Sequence, residues 1–142
     1  MNFYLDASAI LPIMIDEPES VAVNAFVRSC NGVLVVGDFA AAEVASAFSR
    51  LVRMGTLPVD KADARLGDFD AWRAAATESV DLQASDARLA NMFVRRFDLK
   101  LRAPGALHAA ICRRTGDALV TLDRHLARAA TGLGVGVAVP GA

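Results

Sequence analysis

Five short apolar runs, each separated by a longer stretch of helical periodicity, constrain the fold more than any other property of this chain. The runs at residues 2–5, 33–37, 79–82, 118–122 and 135–139 are rich in Val and Leu and lack clean polar alternation. Strands of that kind are buried on both faces, as in a parallel sheet covered by helices. The intervening segments, 8–15, 18–30, 39–54, 59–77, 85–97, 104–115 and 123–132, carry the helical patterns. The expectation is a three-layer α/β/α fold around a central, mainly parallel sheet of about five short strands. Gly32, Gly55-Thr56-Leu57-Pro58 and Gly116-Asp117 punctuate the elements as turns and helix ends would. Asp38 is placed to cap the helix over 39–54.

The whole chain, residues 1–142, is read as one domain, long enough for a proper core. Hydrophobic residues make up 54% and charged residues 22%, which excludes disorder. No uncharged apolar stretch reaches the roughly 18 residues of a membrane helix. The segment with the best claim, Ala129 to Ala142, is broken by Gly and Pro, so no membrane association is expected. Met1-Asn2-Phe3-Tyr4-Leu5-Asp6 lacks the basic start of a signal peptide. Cys30 and Cys112 have neither metal spacing nor a disulfide framework, and are read as reduced residues of a cytoplasmic protein.

Three carboxylates stand where an acid is hardest to explain as surface decoration. Asp6 follows the apolar run Phe3-Tyr4-Leu5, Asp123 closes the run 118–122, and Glu43 interrupts the alanine-rich stretch 39–45. Buried acids are costly unless they are paired, hydrogen-bonded or metal-bound. In open parallel sheets the ligand crevice lies beyond the carboxyl ends of the strands. Asp6 and Asp123 each follow a strand, and Glu43 lies in the second turn of a helix that follows one, so all three can converge on one edge. Two carboxylates about 5 Å apart at an effective dielectric near 20 repel by roughly 3 kcal/mol. Oxygen-only ligands select hard ions, hence Mg2+ or Mn2+, and such ions serve phosphodiester hydrolysis. Each acid also has a plainer reading: a helix cap for Asp6 and Asp123, an exposed helix residue for Glu43.

The net charge of −1 does not advertise nucleic-acid binding, yet 13 of the 15 cations are Arg. Arg suits bidentate phosphate recognition. Arg95-Arg96 and Arg113-Arg114, with Lys100-Leu101-Arg102 between them, concentrate positive charge locally, either as solvated helix faces or as a phosphate-binding surface.

Three segments carry a family likeness: Tyr4-Leu5-Asp6-Ala7-Ser8-Ala9-Ile10-Leu11, Glu43-Val44-Ala45-Ser46-Ala47-Phe48, and Leu119-Val120-Thr121-Leu122-Asp123-Arg124-His125-Leu126 followed by Ala129-Ala130 and Leu133-Gly134. Together, in this order and spacing, they resemble a PIN domain of the VapC toxin type over essentially the whole chain. The resemblance implies a PIN-like fold and an endoribonuclease toxin of a toxin–antitoxin pair. It implies Asp6, Glu43 and Asp123 as catalytic and metal-holding acids for Mg2+ (Mn2+ as an alternative), with a metal-activated water cutting RNA. Ser8, Thr121 and His108 would support these acids, and Arg95, Arg96, Arg102 and Arg124 would contact RNA. The implied partners are an RNA substrate, a VapB-type antitoxin that blocks the site, and a second toxin copy, within a dimer or a larger toxin–antitoxin assembly.

The match fails at one position. Where the family usually reads Pro-Asp-Ala-Leu-His, this chain has Pro104-Gly105-Ala106-Leu107-His108, so Gly105 stands in the place of an acidic ligand. A helix start tolerates Gly, but a missing carboxylate impairs the metal site. One nucleotide change converts Asp to Gly, and the flanking residues remain family-like, which favours a recent or engineered substitution over long degeneration. The alternative function is a catalytically inactive PIN module that binds RNA or a protein. Aspartyl phosphotransfer is a weaker third reading, because position 8 is Ser and neither Lys61 nor Lys100 lies at a strand end. Trp72 and Phe69 are read as core or interface anchors, and His125 as exposed.

Overall fold

A computed structural model describes residues 1–142. Four strands form one sheet: β1 (Asn2–Leu5), β2 (Val33–Val35), β3 (Ala118–Val120) and β4 (Val137–Ala138). Their order is β2-β1-β3-β4 and every pairing is parallel. Seven helices cover the sheet: α1 (Ala7–Met14), α2 (Ser20–Ser29), α3 (Asp38–Arg53), α4 (Val59–Ala76), α5 (Ala84–Val94), α6 (Ala103–Thr115) and α7 (Arg124–Gly132). The expected α/β/α layering is therefore present, with four strands where about five were expected. No helix is long and apolar enough to cross a membrane.

Strand alternation divides the core between the two faces of the sheet. Tyr4 and Leu119 point into one hydrophobic cluster, with Phe93, Ile111, Leu126 and Ala130 of α5, α6 and α7. Leu5 and Val120, one residue further along each strand, point into the other, with Ile10, Val44, Phe48 and Phe69 of α1, α3 and α4. Ala40, Val44 and Phe48 are spaced four apart, which places one apolar stripe of α3 against the sheet. Phe69 is buried in this cluster and Trp72 packs against it, so both act as core anchors. Helix α6 ends where Gly116 takes the left-handed conformation (φ +80°), a backbone state that glycine adopts without penalty.

The missing strand has an identifiable cause. Glu78 alone pairs with β2: its N–H donates to the Leu34 carbonyl and its carbonyl accepts from Val36 N–H, both at 2.9 Å. A parallel ladder would continue with Val80 N–H donating to the Val36 carbonyl. Arg73 of α4 already donates to that oxygen, through Nε at 3.2 Å and Nη2 at 3.1 Å. Residues 79–82 consequently leave the sheet. Arg73 also displaces the expected cap of α3. Its Nη2 lies 2.9 Å from Asp38 Oδ1, and Gly37, with no side chain to contribute, occupies the N-cap position. The other strands and helices begin and end within three residues of their predicted bounds, shortened mainly at strand ends.

Candidate active site

The carboxyl ends of β1 and β3 lie side by side, because Asp6 N–H donates to the Val120 carbonyl at 3.2 Å. Asp6 leaves β1 in extended conformation and becomes the N-cap of α1, accepting from Ala9 N–H at 3.1 Å. Its side chain is only 5% exposed. Ser8 Oγ donates to Asp6 Oδ1 and Thr121 Oγ1 donates to Oδ2, each at 2.6 Å. Each hydroxyl has one proton, and both protons are directed at Asp6. The 3.2 Å approach of Ser8 Oγ to Thr121 Oγ1 is therefore a contact between two oxygens that flank one carboxylate. Their lone pairs accept from the next strand-end amides, Leu122 N–H at 2.9 Å and Asp123 N–H at 3.1 Å. Burial pushes the Asp6 carboxyl above the ordinary range, while the bonds from Ser8 and Thr121, the nearby His108 and Ala9 N–H pull it back.

Glu43 sits in a second network. His108 of α6 is 3% exposed and lies between two partners, with Nε2 at 2.5 Å from Glu43 Oε1 and Nδ1 at 2.6 Å from the Tyr4 hydroxyl. The Phe39 ring covers the imidazole, centroid to centroid at 5.1 Å. Glu43 keeps 29% of its side chain exposed and lines a cleft of about 500 Å3 between α1 and α3, with Leu11, Ile15, Arg50 and Met54.

Asp123 forms a third. It is exposed and caps α7, accepting from Leu126 N–H at 3.0 Å. Gly105 lies in the first turn of α6, facing α7. A Cβ built there would meet Leu126 Cδ1 at 3.2 Å and Leu101 Cδ2 at 3.8 Å.

The three acids thus stand on adjoining elements, and their carboxylates accept from different donors, with Asp123 joined to Asp6 only through its own amide and Thr121. No three His, Cys, Asp or Glu side chains are grouped closely enough to hold a metal ion. Three of the four oxygens on Asp6 and Glu43 already accept protein hydrogen bonds. As they stand, these residues do not fit a divalent cation. Burying Asp6 within the protein's own donors is what the arrangement does chemically.

The expected basic residues differ in availability. Arg96 forks onto Asp98 at 3.1 and 2.9 Å, and Arg95 is held by Asn91 Oδ1 at 2.9 Å. Arg102, the N-cap of α6, and Arg124, the first residue of α7, are exposed and have no side-chain partner. Arg114 of the second pair is committed to Asp86. His125 is exposed, and its Nε2 lies 2.9 Å from the Lys100 carbonyl, joining the starts of α6 and α7. Sequence reasoning overlooked Tyr4. As the only tyrosine, two residues before Asp6 and so on the same side of the strand, it buries a hydroxyl that needs a partner.

Residues 3–132 match the family model described as PIN domain. The chain belongs to the PIN domain family. Solved structures agree at the level of fold. This PIN domain is similar to a chain in DNA-bound VapBC from Salmonella typhimurium, with a TM-score of 0.71 and 13% identity over 98% of each chain. It resembles Mycobacterium tuberculosis VapC20, a toxin that cleaves the sarcin–ricin loop, with a TM-score of 0.70 and 16% identity over 89% of this chain and 94% of that one. The likeness to a chain of Rickettsia felis VapBC2, bound to a fragment of its promoter, has a TM-score of 0.68 and 13% identity over 98% of both. A search of curated protein sequences found no match.

Proposed function

We propose that this PIN domain is the toxin component of a toxin–antitoxin pair, built on an Mg2+- or Mn2+-dependent endoribonuclease framework and impaired in cleavage by Gly105. The observation that carries the reading is Asp6, a buried carboxylate at the joined ends of β1 and β3, flanked by Ser8 and Thr121. A fold needing only a helix cap has no use for two strand-end hydroxyls aimed at one acid. In the complete site, Asp6, Glu43 and Asp123 would share a divalent ion with the acid missing at 105. In this chain both Asp6 oxygens and one Glu43 oxygen accept from protein donors, and Arg102 and Arg124 are free to bind RNA phosphates.

Cleavage of a structured RNA by the parent and by Gly105→Asp, in Mg2+, in Mn2+ and in chelator, tests the reading. The expected result is metal-dependent cleavage by Gly105→Asp at least tenfold above the parent. RNA binding by both without cleavage by either would favour an inactive PIN module that binds RNA or a protein. That second reading draws support from the internal commitment of the acids. VapBC neighbours support a VapB-type antitoxin as partner; a cytoplasmic location goes with the proposal. Co-purification with the product of a small adjacent gene for a DNA-binding protein tests that part. Mass in solution tests the homodimer.

A further inference from the structure

Among the side chains that surround the acids, His108 is the one whose protonation pattern the geometry can fix. Its two ring nitrogens face partners of opposite character. The Tyr4 hydroxyl is fully buried, and a phenol keeps its proton at neutral pH. A buried hydroxyl must place that proton on an acceptor, and the only one within reach is His108 Nδ1 at 2.6 Å. Nδ1 is therefore unprotonated. The proton of a neutral imidazole then sits on Nε2, which faces Glu43 Oε1 at 2.5 Å. The reverse arrangement, with Nδ1–H donating to the Tyr4 oxygen, would strand the tyrosine proton in the core. It would also set an unprotonated Nε2 against a carboxylate. No buried side-chain nitrogen or oxygen in the protein lacks a partner, which the first arrangement satisfies.

We propose that Tyr4 and His108 form a tautomer lock that positions Glu43: Tyr4 O–H to Nδ1, then Nε2–H to Oε1, leaving Oε2 as the Glu43 oxygen free toward the cleft between α1 and α3. His108 is thus a positioning residue, acting through Glu43. The lock joins β1, α6 and α3, so the glutamate rotamer is set by the core and not by the exposed surface of its own helix. Phe39 packs against the imidazole, ring centroids 5.1 Å apart, and helps to hold its orientation. The proposal rests on the ribonuclease reading only for what Glu43 does once positioned; the lock itself exists or fails in the unliganded chain.

With two histidines and one tyrosine in the chain, 15N-edited NMR of the imidazoles at a single neutral pH reads the lock directly. For His108 the expected spectrum shows Nδ1 as the unprotonated nitrogen and Nε2 as the protonated one, with a slowly exchanging downfield proton. Glu43→Gln shifts that proton upfield by removing the carboxylate acceptor. Tyr4→Phe leaves the Nε2 bond, so the proton stays on Nε2, but moves the Nδ1 resonance downfield because that nitrogen no longer accepts a hydrogen bond. A protonated Nδ1 in the parent, or a His108 proton unmoved by Glu43→Gln, overturns the proposal. A second arm uses the Gly105→Asp background. There His108→Leu should lower kcat at least tenfold with KM little changed. His108→Gln, whose amide N–H can stand where Nε2–H stood, should recover part of it. Loss without recovery by Gln, in folded variants, overturns the positioning role. If Gly105→Asp never cleaves RNA while the NMR pattern is as expected, the ribonuclease reading fails and the lock stands.

Discussion

Replacing Gly105 by Asp is the perturbation that most sharply separates steric from electrostatic consequences at this site. The new Cβ would sit 3.2 Å from Leu126 Cδ1, closer than the roughly 3.5–4.0 Å optimum for carbon pairs. That atom is the far methyl of a flexible side chain, so a shift of a few tenths of an ångström relieves the contact. The cost falls at the low end of overpacking, about 1 kcal/mol. Two local gains oppose it. Asp is the better helix former by a few tenths of a kcal/mol, and a carboxylate in the first turn of α6 interacts with the helix dipole for about 0.3–1 kcal/mol. Sterics and helix terms nearly cancel, which leaves charge to decide. A carboxylate about 6 Å from one other would feel up to roughly 3 kcal/mol of repulsion at an effective dielectric near 20, less where solvent screens the pair. Gly105→Asn provides the control, with the same shape and no charge.

In chelator at low salt, Gly105→Asp should therefore be less stable than Gly105→Asn by about 1–3 kcal/mol, a Tm difference of several degrees for a chain of this size. Salt should narrow the gap by screening. Mg2+ should close it further, because an ion that binds only the folded acid cluster stabilises it by mass action. Thermal denaturation monitored by circular dichroism measures all four conditions. Equal Tm values for the Asp and Asn variants in chelator, with neither responding to Mg2+, would refute the premise that residue 105 faces the field of the other acids.

Three more outcomes test other parts of the structure. Thr121→Val keeps the volume but removes the donor to Asp6 Oδ2 and the acceptor for Asp123 N–H, so chemical denaturation should show a loss of about 1–3 kcal/mol, larger than for Thr121→Ser; equal losses would mean that the hydroxyl is idle. Burial opposes ionisation of Asp86, yet its bonds to Arg114 and to Gln83 N–H hold its carboxyl below the ordinary range. The stabilisation it confers is present above the ordinary aspartate pKa near 3.9 and is lost as pH falls through the lower folded value. Asp86→Asn should cost about 3 kcal/mol at pH 7, and its deficit against the parent should shrink steadily below about pH 4; a constant deficit from pH 7 to 3 would contradict the pairing. Arg102→Gln and Arg124→Gln should each weaken RNA binding and reduce the salt slope by about 0.7, while Arg96→Gln, whose guanidinium is held by Asp98, should change it little.

The elements easiest to read from the sequence were those whose identity depends on local pattern. β1 and β3 are apolar on both faces and end at acids, so their strand character and the meeting of Asp6 with Thr121 follow from one topological rule. The segment 79–82 has the same local pattern and fails as a strand. Its fate turns on Arg73 reaching the Val36 carbonyl from 37 residues away, which no window of sequence contains. The displacement of Asp38 from its cap has the same origin. At the site, the spacing of His108 from Gly105 marked it for a supporting role. Its bridge between Tyr4 and Glu43 was hidden, because it depends on α6 carrying the imidazole between a strand and a helix distant in sequence. Among the arginines, sequence could not distinguish those already held by a neighbour from those left free.

On the proposed reading, in which residue 105 was once acidic, the pattern of which acids remain bears on why that position would be the one to change. Each surviving carboxylate has a second task in the fold. Asp6 caps α1 and receives the hydroxyl protons of Ser8 and Thr121, so its removal would orphan donors at the junction of β1 and β3. Glu43 accepts from the buried imidazole that in turn receives the Tyr4 proton. Asp123 caps α7. A carboxylate at 105 would have no such duty: α6 begins without a side-chain cap, and with Gly in place no buried side-chain polar atom lacks a partner. Burial already opposes ionisation of Asp6, and a further like charge in its field would add to that cost. Selection for cleavage would maintain a fourth acid against this penalty. On that reading, once such selection relaxes, 105 is the position where an acid would be lost with least damage to the fold, and its loss would spare the metal-free protein any repulsion it felt from the other acids.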